Sequence, residues 1–296
     1  MTNPFSDKTN DRAQMNPGHA NPNKIVRTGP VDTAVSVLSL VSPEGKPIAL
    51  FANYSTHYAG VPSDVISADY FAVFAEQIKT KIAEKIGSEN VSDSFLGIMS
   101  NGTSGDANCI DFLNPGRKFD YKSVGEETAQ AAIAVWSNIQ YFDWVPLGMV
   151  EKRVVLKNRV PTPEEVQKAK DHLQTLPEGR PRTIPDVYAQ STVAMAEWAK
   201  TSEIPLQAIR IGELGITALP GEIFGITGLE IKARSPFVPT FNISFANGSF
   251  GYIPPAEQHR LGGYTTWRRE SSHLEIGAEV IVRQTVIDML EELHKP

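Results

Sequence analysis

Apolar positions in this chain follow two rhythms in turn, one of strands and one of helices. Residues 32–41, "DTAVSVLSLV", alternate as a half-buried strand does, "EGK" supplies a turn, and "PIALFANYST" (47–56) reads as the neighbouring strand. In 68–87, Phe71, Phe74, Ile78, Ile82 and Ile86 recur at helical spacing, with Asp69 near the start. "SFLGIMS" (94–100) predicts a short buried strand that opens into a Gly/Asn/Asp loop at 101–111, and 123–140 predicts a second helix. The strand 148–160 then leads into a helix beginning at Pro163, a residue suited to a first helical turn, and a further helix covers 185–200. A strand pair follows at 204–220, folding back over Glu213–Gly215, and then a helix from Glu222 to Ser235. A strand at 240–247, a Gly/Pro/Tyr-rich loop at 248–267 and a closing helix at 274–295 complete the pattern.

Strands alternating with helices define an α/β fold, here a mixed β-sheet core with flanking helices, because the hairpin-like segments require antiparallel neighbours. Residues 1–30, polar and rich in Asn and Pro, predict an irregular leader, and 31–296 a single α/β domain. The charged helical pair within 161–201 reads as an excursion from the sheet.

Composition narrows the function classes. With 41% hydrophobic and 21% charged residues, the 296-residue chain can bury a substantial core. A net charge of −6 without any Lys/Arg cluster speaks against a nucleic-acid partner. No apolar run approaches the roughly 18 residues of a transmembrane segment, and the first 24 residues show no signal-peptide pattern. The single Cys109 excludes an internal disulfide framework and a zinc finger built on cysteines. Localisation and oligomeric state stay open.

Chemistry in open α/β sheets gathers beyond the carboxyl ends of strands. Four such ends carry polar residues: His57, "GTSGDAN" (102–108), the "PGE" that ends in Glu222, and the loop from Tyr252 to Tyr264. Two of these have structural readings as well. Glu222 would suit the start of an apolar helix, where the helix dipole favours a carboxylate, and a lone histidine such as His57 can simply pack. Ser104 is not in a nucleophile elbow, since Gly105 follows it at once. A triad of Ser104, His57 and Asp69 or Asp106 is conceivable but has no spacing support, and a tight turn whose Asn and Gly residues supply positive φ is the better account of the loop. The loop also lacks the lysine of a phosphate loop.

In this order, "NYSTHYAG…ISADY", "SNGTSGDAN", "ALPGEIF", "ANGSFGYIP" and "GGY" resemble the catalytic domain of neutral/alkaline (non-lysosomal) ceramidases and their bacterial relatives, from about Asn23 to the last helix. Tyr252 and Tyr264 have the separation of that family's two active-site tyrosines. The resemblance implies one zinc ion, with His57 as the second histidine ligand, Glu222 as the glutamate ligand and Tyr252 as the tyrosine ligand. It also implies that Tyr264 faces the scissile amide, with Ser104, Asp106 and Asn108 lining the site and the backbone of "GTSGD" offering N–H donors. Zinc accepts imidazole and carboxylate ligands and lowers the pKa of a bound water, and a phenol can stabilise a developing oxyanion, so these residue types suit amide hydrolysis.

Departures from the family shape the expectation. The family's first zinc histidine lies in a His-Thr-His-Ser type motif that this chain lacks; His19 in "NPGHANP" does not resemble it, and the Asn-Arg signature is missing. The resemblance therefore implies an amino-terminally truncated relative whose further histidine ligand lies upstream, with an unpaired strand edge or an exposed apolar face where strands are missing. Asn108 stands where ceramidases carry a serine, and their carboxyl-terminal immunoglobulin-like domain has no counterpart. The implied activity is hydrolysis of a small-molecule or lipid-like N-acyl substrate. Two alternatives remain: a non-catalytic remnant or binding module without metal, and a metal-free serine hydrolase using Ser104.

Overall fold

In the first half of the chain the strand rhythm produces a small sheet. The computed structural model describes residues 3–295 apart from 6–10, 19–20, 62–63, 113–118, 178–180 and 182, so His19 lies outside the described residues. Strand β1 (Ser36–Val41) pairs antiparallel with β2 (Pro47–Tyr54), and β3 (Leu96–Asn101) adds parallel to β2 on its other side. Helix α1 (Asp69–Ile86) connects β2 to β3, as a parallel pair requires. Its stripe of Phe74, Ile78 and Ile82 covers Leu50 and Ala52 of β2 and meets Ala129, Ala132 and Ile133 of α2 (Tyr121–Trp136). A reciprocal cap between Asp120 and Ser123 starts α2.

The second half builds another sheet. Strand β4 (Leu147–Lys157) is followed by the excursion, α3 (Pro163–Gln174) and α4 (Ile184–Ala194), each opened by a capping box and a proline in its first turn. Strand β5 (Thr201–Ile211) returns antiparallel to β4 and turns into β6 (Leu214–Leu219). The chain then makes the two-residue β7 (Glu222–Ile223), α5 (Gly225–Arg234) and β8 (Thr240–Ser244), which lies parallel to β6. Next come β9 (Tyr252–Ile253), α6 (Ala256–Leu261) and α7 (Ala278–His294). Helix α7 packs Val282, Val286, Met289 and Leu290 on Ile204, Leu206 and Ala208 of β5, beside Ile231 of α5.

Between the sheets lies a third core. Leu38 and Phe51 of the first sheet meet Ile209, Ile216, Phe241 and Ile243 of the second, with Phe51 edge-on to Phe241 at 5.7 Å. Burying one such phenylalanine contributes about 3 kcal/mol. A polar staple sits at the end of this core: Asn53 Nδ2 donates to the Asn242 carbonyl at 2.9 Å, and Thr217 donates to Asn242 Oδ1 at 2.7 Å. The layers run helix, sheet, sheet, helix. The carboxyl ends of the two parallel pairs, β2–β3 and β6–β8, lead into the loops that carry the candidate site.

Several boundaries differ from the sequence pattern. The β5–β6 turn is Gly212–Glu213, since Gly212 takes φ +63°, and Gly215 lies inside β6. Helix α2 stops at Trp136 and α7 begins at Ala278, and the loop at 248–267 contains β9 and α6. The described parts of the leader form no helix or strand. They dock near α6, where Arg12 and Ala13 donate their N–H groups to the Leu261 carbonyl at 2.8 and 3.0 Å. Strand β3 has a neighbour on one side only among the described residues, and its Leu96 is 54% exposed. No described helix is long and apolar enough to cross a membrane.

Candidate functional site

The site is assembled from short, irregular pieces fixed by backbone hydrogen bonds. After β6, Pro220 and Gly221 break the ladder, and Glu222 pairs in parallel register with Tyr252. The Glu222 N–H donates to the Gly251 carbonyl and the Tyr252 N–H to the Ser271 carbonyl, both at 2.8 Å. Glu222 is therefore a strand residue: helix α5 starts three positions later, which corrects the reading of Glu222 as a helix N-terminal carboxylate. Asp106 takes that position instead, accepting from the Gly225 N–H at 2.7 Å where Phe224 supplies no side-chain cap.

His57 follows β2 and is tied by its own N–H to the Ala107 carbonyl at 3.0 Å. Its Nε2 lies 4.0 Å from Glu222 Oε2. Burial pushes the imidazole pKa down, against the nearby Asp69 charge, so the ring is neutral at neutral pH. Its Nδ1 accepts from the Tyr58 N–H at 3.0 Å. Behind the ring, the buried Asp69 carboxylate accepts from the N–H groups of Ala59, Gly60 and Tyr70 at 3.1, 2.8 and 2.7 Å. Those three bonds hold Asp69 at φ +53°, a conformation that only such local pairing makes tolerable for a residue with a side chain.

Two phenols complete the cluster. The hydroxyls of Tyr252 and Tyr264 are 2.7 Å apart and their rings stand edge-on at 5.5 Å. Burial raises the pKa of both, so both keep their protons. Burial also raises the Glu222 pKa, and the Tyr252 hydroxyl acts in the opposite direction. Four predicted residues thus gather in one place: His57, Glu222, Tyr252 and Tyr264.

The loop after β3 plays a supporting part. Ser104 is buried and donates to Asn101 Oδ1 at 3.1 Å, so its hydroxyl engages no histidine. None of the bonds of the serine triad is present: His57 Nδ1 meets Tyr58, and Asp69 and Asp106 accept from backbone N–H groups. The expected N–H donors of "GTSGD" are largely engaged, with Gly102 on the Tyr54 carbonyl, Thr103 on Ser55 Oγ and Gly105 on the Ile223 carbonyl. Asn108 accepts from the Ile110 N–H and donates to Asn16 Oδ1, both at 3.1 Å. Nearby Met15 Sδ lies 3.8 Å from the Tyr264 hydroxyl, so the leader touches the site twice. Sequence reasoning missed these contacts of Met15 and Asn16, which have no local pattern to reveal them.

The donors that could hold a metal are one imidazole, one carboxylate and one phenol. No group of three or more His, Cys, Asp or Glu side chains gathers among the described residues.

The fold is that of the ceramidases of known structure, a mixed α/β architecture with flanking helices. The chain is similar to the crystal structure of the neutral ceramidase from Pseudomonas aeruginosa, with a TM-score of 0.60 and 17% identity over 89% of this chain and 47% of that one. It is similar as well to a ceramidase complexed with C2, with a TM-score of 0.64 and 16% identity over 89% of this chain and 48% of that one. The chain spans about half the length of these structures. No family model and no curated protein matches it.

Proposed function

We propose that this chain carries a zinc-dependent amide hydrolase site for an N-acyl, ceramide-like substrate. The observation that carries the reading is the approach of His57 Nε2 to Glu222 Oε2 at 4.0 Å, beside the paired hydroxyls of Tyr252 and Tyr264, on a ceramidase fold. The donor set suits zinc: neutral imidazole, carboxylate and phenol are nitrogen and oxygen ligands, and three protein ligands leave a position free. His57 Nε2 and Glu222 Oε2, 4.0 Å apart, would hold the ion together with the Tyr252 hydroxyl. Binding through Nε2 also places the ring proton on Nδ1, which requires His57 to give up the Tyr58 N–H.

A zinc ion held there supplies Lewis acidity toward an amide carbonyl and acidifies a water. Tyr264 donates its hydroxyl hydrogen to the amide oxygen as negative charge develops there, and Tyr252 fixes the direction of that donor through the 2.7 Å bond. Burial keeps the Tyr264 phenol protonated and able to donate.

The test uses cobalt or zinc titration of the chelator-stripped protein together with hydrolysis of a fluorogenic N-acyl substrate. His57→Ala and Glu222→Ala should each weaken metal binding by about 100-fold or more, and a chelator should suppress hydrolysis. Metal affinity indifferent to both substitutions would overturn the ligand assignment. Hydrolysis indifferent to chelator would overturn the zinc mechanism.

A further inference from the structure

Beside the loop that carries Tyr264 lies a cavity of about 520 Å³ with an unusual charge balance. Arg12, Arg159, His259, Arg260 and Arg268 line it, and the carboxylates that also reach it are already engaged. Asp11 accepts from the Gly263 N–H at 2.7 Å, from Asn3 Nδ2 at 3.1 Å and from the Trp267 indole. Glu165 caps α3 and accepts both bonds of Arg268 Nη1, at 3.0 and 3.1 Å.

The guanidinium groups are under-satisfied. Arg159 bonds only neutral oxygens, the Thr266 carbonyl at 2.8 Å and the carbonyl and hydroxyl of Ser272 at 2.7 and 3.0 Å. Its Nε is buried with no acceptor, and so are Nε and Nη2 of Arg268. Burial and the neighbouring Arg268 charge pull the Arg159 pKa down to about 10, the mark of a cation without its counter-charge. Arg260 pairs with Glu257 at the rim, and Arg12 forms no ion pair among the described residues.

Guanidinium groups that line a cavity and retain N–H donors without acceptors favour an anion rich in oxygens. A carboxylate has two oxygens in one plane, whereas these donors come from two separate guanidinium groups with a third at the mouth. We propose that this cavity binds a tetrahedral oxyanion, a phosphate group either free or carried on a small organic molecule. Arg159 and Arg268 form its floor and Arg12 its entrance. The site is separate from the proposed metal ligands, none of which lines the cavity.

The experiment is calorimetric titration of chelator-treated protein with inorganic phosphate and, separately, phenyl phosphate, at constant ionic strength. Chelation removes the metal as a competing receptor, so the outcome does not depend on the hydrolase reading. Saturable binding of one equivalent is expected, with tighter binding of phenyl phosphate assigning an ester and tighter binding of inorganic phosphate assigning the free ion. Arg159→Gln should weaken binding by about tenfold or more, and Arg12→Gln, on the exposed leader, by a few-fold. If Arg159→Gln fails to fold, the Arg12→Gln comparison still decides. No saturable binding of either compound up to about 10 mM, or binding unchanged by Arg12→Gln, would overturn the proposal.

Discussion

Replacing Gly105 by alanine would disturb the candidate site without removing any proposed ligand. A Cβ at that position would lie 2.6 Å from the Glu222 carbonyl oxygen, 2.9 Å from its carbonyl carbon and 3.0 Å from the Ile223 carbonyl oxygen. All three atoms are backbone of β7, so no rotamer change relieves the contact, and loop or strand must shift by roughly 0.5–1 Å. The same shift strains the 2.8 Å bond from the Gly105 N–H to Ile223. Overpacking of this kind costs about 1–3 kcal/mol, and a weakened hydrogen bond about 1 kcal/mol. The alanine recovers about 0.4–1 kcal/mol through the unfolded chain, leaving a net loss of about 1–3 kcal/mol. For 296 residues the unfolding entropy is about 0.6 kcal/mol per kelvin, so Tm should fall by about 2–5 °C. Scanning fluorimetry reads that fall, and metal titration reads the accompanying displacement of Glu222 as weaker binding. Gly277→Ala, where nothing lies within 4 Å, is the control. A Gly105→Ala protein with Tm within about 1 °C of the parent and unchanged metal affinity would refute the view that this contact positions Glu222.

Asp106→Ala should lower stability by about 1–2 kcal/mol in chemical denaturation, because α5 loses its only side-chain acceptor at Gly225, whereas Asp106→Asn, which keeps an oxygen there, should cost less. Equal costs for the two would rule out the capping role. Burial, aided by the Arg159 charge, pushes the His259 pKa from 6.5 down to about 4, so the folded state resists protonating it. Its contribution to stability is complete above pH 6.5 and declines as pH falls toward 4. His259→Gln should flatten that part of the pH–stability curve, and an identical slope in the two proteins would contradict the shift.

The parts of this fold that could be read in advance are those with a period. The α1 stripe of Phe74, Ile78 and Ile82 named the face that covers the first sheet, and the alternation in 32–56 named the β1–β2 pair. Strand ends pointed to His57 and Glu222, which the structure brings to 4.0 Å. Strands β7 and β9 escaped because two residues cannot show alternation, and α6, with six residues, is too short for a helical period. The capping of α5 was misread because adjacency in sequence favoured Glu222, while the acceptor that serves it lies 119 residues from Gly225. Phe51 and Leu50 point to opposite faces of β2 and both are covered, and an apolar run alone does not say what covers each face.

All strands of the first sheet come from residues 36–101 and all strands of the second from 147–244. During synthesis, then, the half that bears His57 emerges and can pack its own helices before the strands of the other sheet have all emerged. Until the second half docks, His57 has Asp69 and Tyr58 nearby but lacks Glu222, whose carboxylate the finished fold brings to 4.0 Å. Closure of the Phe51–Phe241 seam and the later pairing of β7 with β9 therefore set the moment at which His57 meets Glu222, and the cluster exists only in molecules that have finished folding.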